Sequence, residues 1–463
     1  MDRTLLNKIF MISLFIPILF LGKLNLIANV GEPNSIAKTY PLIFQAWSPI
    51  ENKPDEDELS LLARHDLVFT TTWSLRINWK VTSDQMYKGL STVLVNQQGS
   101  ESLEEAHQRR DTLKKLNPNL KLLCEIRYRE GRYVTDKNVE LWKQGAYPPD
   151  SEFWLRDENG ALCPGWGEDI DGDGEVELNE ISNMLLDFRN SSLQEIIAEK
   201  ALALKESGLF DGIMLDWWNE FHATTGKWPD HNGTHLNLSE ENAARIAILR
   251  KIREKVGDDF LILVNSNYNT VPLSASFVNG IFMECYKPRY DNGYTIDQIK
   301  KMESTLLWAE DNLKEPHINC LEGWRIVTDY TGEREVRVAE RNSEENLKWM
   351  RMITTLSLTH SDGYVLFADD NAQPSSDHLH NWYDFWDADL GNPIGKKGAI
   401  YNNIEGLFIR EFENGWAVYN RSGVTQSVLF EEKVIAFSKK EIAKSHKMPN
   451  FDGEIFLKEI SNR

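Results

Sequence analysis

Two phrases in this 463-residue chain each run through apolar residues and end on a carboxylate. The first, Phe210-Asp211-Gly212-Ile213-Met214-Leu215-Asp216-Trp217-Trp218, delivers Asp216 beside two indoles. The second, Asn279-Gly280-Ile281-Phe282-Met283-Glu284-Cys285-Tyr286, delivers Glu284 beside a phenol. Each has the form of a buried strand that empties into a site. Two acids presented side by side suit glycosidic cleavage. One protonates the leaving oxygen, and the other attacks the sugar or activates water. Asp216 is expected as nucleophile or base and Glu284 as acid, with the order of the two roles open. The competing reading pairs one of them with Arg127 or Lys287 in a structural ion pair.

Other residues at the expected strand ends would contact substrate: Trp47, Glu125, Arg127, Tyr128, Trp217, Trp218, Asn265, Tyr286, Glu322, Trp324 and Asp369. Glu322 is the one acid that could displace Glu284 as proton donor. A separate motif runs Asp169-Ile170-Asp171-Gly172-Asp173-Gly174-Glu175-Val176-Glu177-Leu178-Asn179-Glu180. Oxygen donors fall at loop positions 1, 3, 5, 7 and 9, with Gly174 at the sharp turn and Glu180 at position 12. That is the donor pattern of a calcium loop, so Asp169, Asp171, Asp173, Glu175 and Glu180 are expected to hold structural Ca²⁺. A solvated acidic turn is the plainer alternative.

The elements that would position these groups alternate along the chain. Strand signals fall at Leu42–Trp47, Leu67–Thr72, Leu120–Arg127, Gly212–Trp217, Phe260–Asn265, Gly280–Tyr286, His317–Leu321 and Gly363–Ala368. Helical periods fall at Ser102–Leu116, Ser192–Ser207, Ser239–Val256, Ile296–Leu313 and Ser343–Leu358. Only a small helix fits between Asn265 and Gly280. Eight α/β repeats predict an α/β fold closed as a (β/α)₈ TIM barrel, whose active face lies at the strand C-termini. An open doubly wound sheet is the runner-up, but no Gly-rich phosphate loop follows any strand. The stretch Glu130–Leu186 shows no helical period and reads as a long functional loop on that face. The Asn-Gly turn at 414–415 predicts a hairpin in a small C-terminal antiparallel β domain. The expected layout is a signal peptide at 1–30, a barrel at 38–395 with the calcium loop inserted at 169–180, and the β domain at 400–463.

Net charge of −20 and a pI near 5.0 disfavour nucleic acid and anionic lipid as partners, and a carbohydrate fits instead. Arg3 and Lys8 precede an apolar run from Ile9 to Leu21, the order of a secretory signal. A secreted, periplasmic or cell-surface location follows, with no membrane association beyond that segment. The four cysteines lack metal or redox spacing and read as small buried apolar groups.

His65-Asp66-Leu67-Val68, Leu186-Asp187-Phe188-Arg189-Asn190-Ser191, the Asp216 and Glu284 phrases, and the tail from Asp389-Leu390-Gly391 to Phe412-Glu413-Asn414-Gly415 carry a resemblance. In these phrases the chain resembles the hypothetical glycosyl hydrolase TIM barrels, which are similar in pattern to α-amylase-like and polygalactosaminidase-like barrels. The resemblance implies a barrel, a C-terminal β module and a reactive Asp on the fourth strand. It transfers no substrate. A non-catalytic carbohydrate-binding barrel is the alternative. Hydrolysis of another bond would call for a His-rich metal site at the strand ends, which the sequence does not offer.

Overall fold

The computed structural model describes residues 39–81, 87–133, 146–167, 181, 183–226, 235–287, 290–291, 293–328, 332–369 and 378–459. The 1–30 segment and all five expected calcium ligands lie outside the described residues. Eight parallel strands form one sheet in chain order: β1 Phe44–Ala46, β2 Leu67–Thr70, β3 Lys121–Glu125, β4 Gly212–Leu215, β5 Leu261–Asn265, β6 Gly280–Cys285, β7 Cys320–Trp324 and β8 Tyr364–Ala368. A parallel bridge between Ile43 and Val365, with Val365 N–H donating to Leu42 O at 2.9 Å, joins the last strand to the first. The sheet therefore closes, and the open doubly wound alternative is excluded. Phe44, Phe69 and Phe282 point inward and fill the barrel, their ring centroids 5.0–5.9 Å apart.

A polar residue stands before several strands, and its chemistry explains the recurring Asp/Asn-Gly pairs. Asp211 accepts from the Leu122 amide at 2.7 Å, and Asn279 accepts from the Ile262 amide at 3.0 Å. Asp66 and Asn319 do the same for Ile43 and Ile281. Each side chain thus satisfies an amide at the start of a neighbouring strand, which would otherwise be buried unpaired. The glycines that follow stand where the next strand comes close. A Cβ on Gly212 would lie 2.3 Å from Leu261 O, and one on Gly280 would lie 2.5 Å from Ile318 O.

The helices α1 Glu58–Ala63, α2 Glu104–Leu116, α3 Ser191–Glu206, α4 Leu238–Val256, α5 Ile296–Asn312, α6 Arg334–Arg341 and α7 Glu344–His360 occupy the connections. The start of α4 is set by Asn237 rather than by Ser239. The Asn237 side chain accepts from the Glu240 amide while Glu240 reaches back to the Asn237 amide. Ser343 caps α7 as its sequence position suggests. The small helix expected between β5 and β6 does not form. That interval is a series of turns held by Glu220, whose carboxylate accepts from the Leu273 and Ser274 amides.

The long excursion after β3 also differs from expectation. Its described part includes a three-stranded sheet of Glu130–Tyr133, Ala146–Tyr147 and Asn183–Leu185. Beyond the barrel, β9 Leu407–Phe412, β10 Gly415–Asn420, β11 Gln426–Ala436, β12 Glu441–Met448 and β13 Asp452–Lys458 form an antiparallel sheet in the order 9-10-13-11-12. β12 carries no apolar alternation, so its sequence gives no strand signal. The sheet packs on α7 and α5. Arg351 bonds Asp452 at 2.9 and 3.0 Å, and Arg421 bonds Glu303 at 2.7 Å. All four cysteines are buried, and none is in a disulfide.

Candidate active site

Asp216 follows β4 directly, and Glu284 lies near the end of β6. The intervening strand β5 ends on Asn265, and this side chain joins the two acids. Its Nδ2 donates to Asp216 Oδ1 and to Glu284 Oε2, each at 2.8 Å. Two bonds meeting at one nitrogen keep those oxygens within twice that length. The Trp217 amide gives Asp216 Oδ1 a second donor, also at 2.8 Å. Trp217 adopts a left-handed backbone at φ 56°, unusual for a bulky residue. Two partners hold that turn. Tyr128 Oη donates to Trp217 O at 2.9 Å, and the Trp218 amide donates to Asn265 O at 2.8 Å. Arg245 in turn donates from Nε to Tyr128 Oη at 3.0 Å and pairs with buried Glu241 at 2.7 Å.

A ring of acids lines the strand ends. Glu125 ends β3, accepts from Trp47 Nε1 at 2.9 Å and pairs with Arg127 at 3.1 Å. Glu322 on β7 is the register partner of Glu284 and takes His378 Nδ1 at 2.9 and 3.0 Å. Asp369, just past β8, accepts from Asn346, Asn381 and Tyr383. Glu125, Glu322 and Asp369 are buried, whereas Asp216 and Glu284 keep partial solvent access. These two are the acids of the ring that a substrate can reach. The alternative of structural ion pairing is not realised for either acid, since Arg127 is on Glu125 and Lys287 is on Asp291 at 2.7 Å.

The electrostatics separate the pair. Burial raises the Asp216 carboxyl to about 6, with the Glu125 charge adding to it and the two donors on Oδ1 opposing it. Burial raises Glu284 to about 7, helped by the Asp216 and Glu322 charges and opposed by His378 and the Asn265 bond. Each acid has two acidic neighbours, Glu125 and Glu130 for Asp216 and Asp216 and Glu322 for Glu284, but Glu284 has one hydrogen-bond donor, from Asn265, so it holds a proton longer. Asp216 has two donors that favour its charged form.

The expected contact residues divide by exposure. Trp47, Arg127 and Trp217 are half-buried at the mouth, and Tyr286 is exposed. Trp324 is buried against Tyr286 and His378, with ring centroids 5.2 and 5.4 Å away. Tyr128 and Trp218 are sealed beneath the site, and Trp218 Nε1 donates to Ser274 Oγ at 3.0 Å. They and Asp369 support the rim from below and do not face its opening. Three residues at the site carry no sequence motif. His378 packs on Trp47, with centroids 4.8 Å apart. The Arg129 guanidinium lies 4.2 Å over the Trp217 ring. Trp73 sits exposed in the short helix Thr72–Leu75 after β2. Trp73 and Arg129 stand three and four residues past strand ends, which is a signal the sequence offers, whereas His378 stands ten residues past β8 and has none. Among the described residues no group of three or more His, Cys, Asp or Glu could hold a metal.

The family model for hypothetical glycosyl hydrolase family 15 matches residues 114–416, more than half of the chain. The chain belongs to this family. The resemblance drawn from the short phrases is thereby borne out, and glycoside hydrolysis is the activity class. No curated protein matches by sequence. Among solved structures, an α-amylase from Geobacillus thermoleovorans complexed with acarbose is similar at TM-score 0.45 and 9% identity, over 91% of this chain and 98% of that one. A cyclic α-maltosyl-(1→6)-maltose hydrolase from Arthrobacter globiformis gives TM-score 0.45 and 10% identity, over 90% and 99%. An Anoxybacillus α-amylase gives 0.43 and 11%, over 86% and 87%.

Proposed function

We propose that this family 15 barrel hydrolyses a poly- or oligosaccharide by a retaining mechanism, with Asp216 as nucleophile and Glu284 as acid and then base. One observation carries the reading: a single Asn265 nitrogen bonds both carboxylates. The resulting separation suits the about 5–5.5 Å of retaining pairs better than the about 6.5–9.5 Å that leaves room for a water. In the first step Glu284 gives its proton to the glycosidic oxygen while Asp216 Oδ attacks the anomeric carbon. In the second, Glu284 takes a proton from water, which displaces Asp216. The half-buried Trp47 and Trp217 and the exposed Tyr286 offer flat faces for pyranose rings.

The 169–180 segment is proposed to bind Ca²⁺ and to stiffen the loop beside the site, on the strength of its donor spacing. An extracytoplasmic location is proposed from the basic and apolar order of residues 3–21. Among the described residues no helix is long and apolar enough to cross a membrane. A glycan-library screen tests the proposal. Hydrolysis by the wild type that is lost in Asp216→Asn and in Glu284→Gln, with glycan binding kept, supports it. Binding without hydrolysis by the wild type would favour a carbohydrate-binding barrel instead.

A further inference from the structure

His378 comes from the segment after β8, yet it sits over the barrel mouth. Its ring centroid lies 4.8 Å from Trp47, 5.8 Å from Phe282 and 5.4 Å from Trp324. Both oxygens of buried Glu322 face its Nδ1, at 2.9 and 3.0 Å. That contact fixes Nδ1 as the protonated nitrogen and favours the imidazolium. A buried carboxylate without a cation is costly, so the two groups are coupled. Glu322 is also the cross-strand partner of Glu284, so the pair stands beside the proposed acid.

We propose that His378, clamped by Glu322, is a positioning residue that balances a buried charge and thereby sets the pH at which Glu284 gives up its proton. The inference rests on Glu284 being the acid. The other groups around Glu284 are accounted for. Asp216 stands at the end of β4, sharing the uncharged Asn265 from β5. Behind Asp216, Glu125 and Arg127 of the β3 end pair with each other, and Arg129 pairs with Glu130 at 2.8 Å. On the β6 side, Lys287 is held by Asp291, and Tyr294 donates to Cys285 O at 2.7 Å. Arg127 also feels the Asp216 charge, whereas His378 is the cation among the described residues that acts on Glu284 itself, against the pull of Asp216 and Glu322.

The charge count gives the test. His378→Gln leaves Glu322 unbalanced, so Glu284 keeps its proton longer. The alkaline limb of the kcat/KM profile should then move up by about one pH unit. Adding Glu322→Gln removes the surplus charge, and the limb of the double variant should return to within about 0.3 unit of wild type. A purely structural loss would not be restored by a second substitution. A limb unmoved in His378→Gln, or unrestored in the double variant, overturns the inference. If His378→Gln does not fold, Glu322→Gln is read alone. Its limb must lie at or below that of wild type, and a limb above it overturns the inference. Glu284→Gln, read on the small residual activity left after a loss of about 10²–10⁴-fold, distinguishes the two possible failures. If that variant keeps the alkaline limb, Glu284 is not the acid. If it abolishes the limb while the His378 variants leave it unmoved, only the role of His378 fails.

Discussion

Glu284→Gln should produce an enzyme that is inactive and more stable than wild type, with the gain in stability dependent on pH. The substitution keeps the side chain's shape and leaves an oxygen for the Asn265 amide, now 2.8 Å from Oε2. It removes the transferable proton, and loss of general acid catalysis lowers rates by about 10²–10⁴-fold. It also removes a carboxyl that folding lifts from an ordinary 4.5 to about 7. The sign follows from linkage. A carboxyl with a raised native pKa binds protons more tightly in the folded state, so its contribution is favourable at low pH and is lost as pH rises from about 4.5 through about 7. At about 1.4 kcal/mol per pH unit the loss is at most about 3.5 kcal/mol, and coupling to Asp216 makes it smaller. A side-chain amide at this position does not ionise, so the variant escapes that loss. Thermal melting of both proteins at about pH 8 and about pH 4.5, on either side of the titration, measures it. The variant should melt higher in the alkaline buffer and nearly together with wild type in the acidic one. A gain equal in both buffers, or activity above about a tenth of wild type, would refute the assigned protonation.

Further outcomes follow from the same geometry. In the proposed mechanism Asp216 reacts charged and Glu284 protonated, so wild-type kcat/KM should rise as pH increases through about 6 and fall as it increases through about 7, a narrow bell assayed in overlapping buffers. Tyr128→Phe removes the donor to Trp217 O and leaves Arg245 Nε short of an acceptor. It should lower kcat by about tenfold and stability by about 1–3 kcal/mol, read by kinetics and urea melts. Gly212→Ala places a Cβ against Leu261 O and should destabilise the barrel by about 1–3 kcal/mol or prevent soluble expression. If the 169–180 loop binds Ca²⁺, a chelator should lower the melting temperature and added Ca²⁺ should restore it. An unchanged melt would count against the loop.

The barrel was legible because its signals are local. Eight apolar runs, each bounded by turn or helix residues, map onto eight strands with ends shifted by a few residues. Asp216 and Glu284 were legible for the same reason, since a strand that ends on an acid delivers it to the rim. The failures depended on neighbours distant in sequence. Tyr128 and Trp218 look like rim aromatics, but Arg245 on α4 and Ser274 after β5 hold them beneath the site. Glu322 has the same strand-end position as Glu284. It is buried because His378, 56 residues later, lies against it. Asn265 looked like a contact residue, and its part in joining the two acids needs the register of three adjacent strands.

The proposed catalytic pair is tested most directly by trapping the intermediate it would form. Once the screen supplies a sugar, the matching 2-deoxy-2-fluoro glycosyl fluoride is incubated with wild type, and peptide mass mapping locates the label. A glycosyl ester on Asp216, absent from Asp216→Asn, is the result expected of a retaining nucleophile at that position. Label on another acid, or steady hydrolysis with inversion at the anomeric carbon and no label, would contradict the assignment.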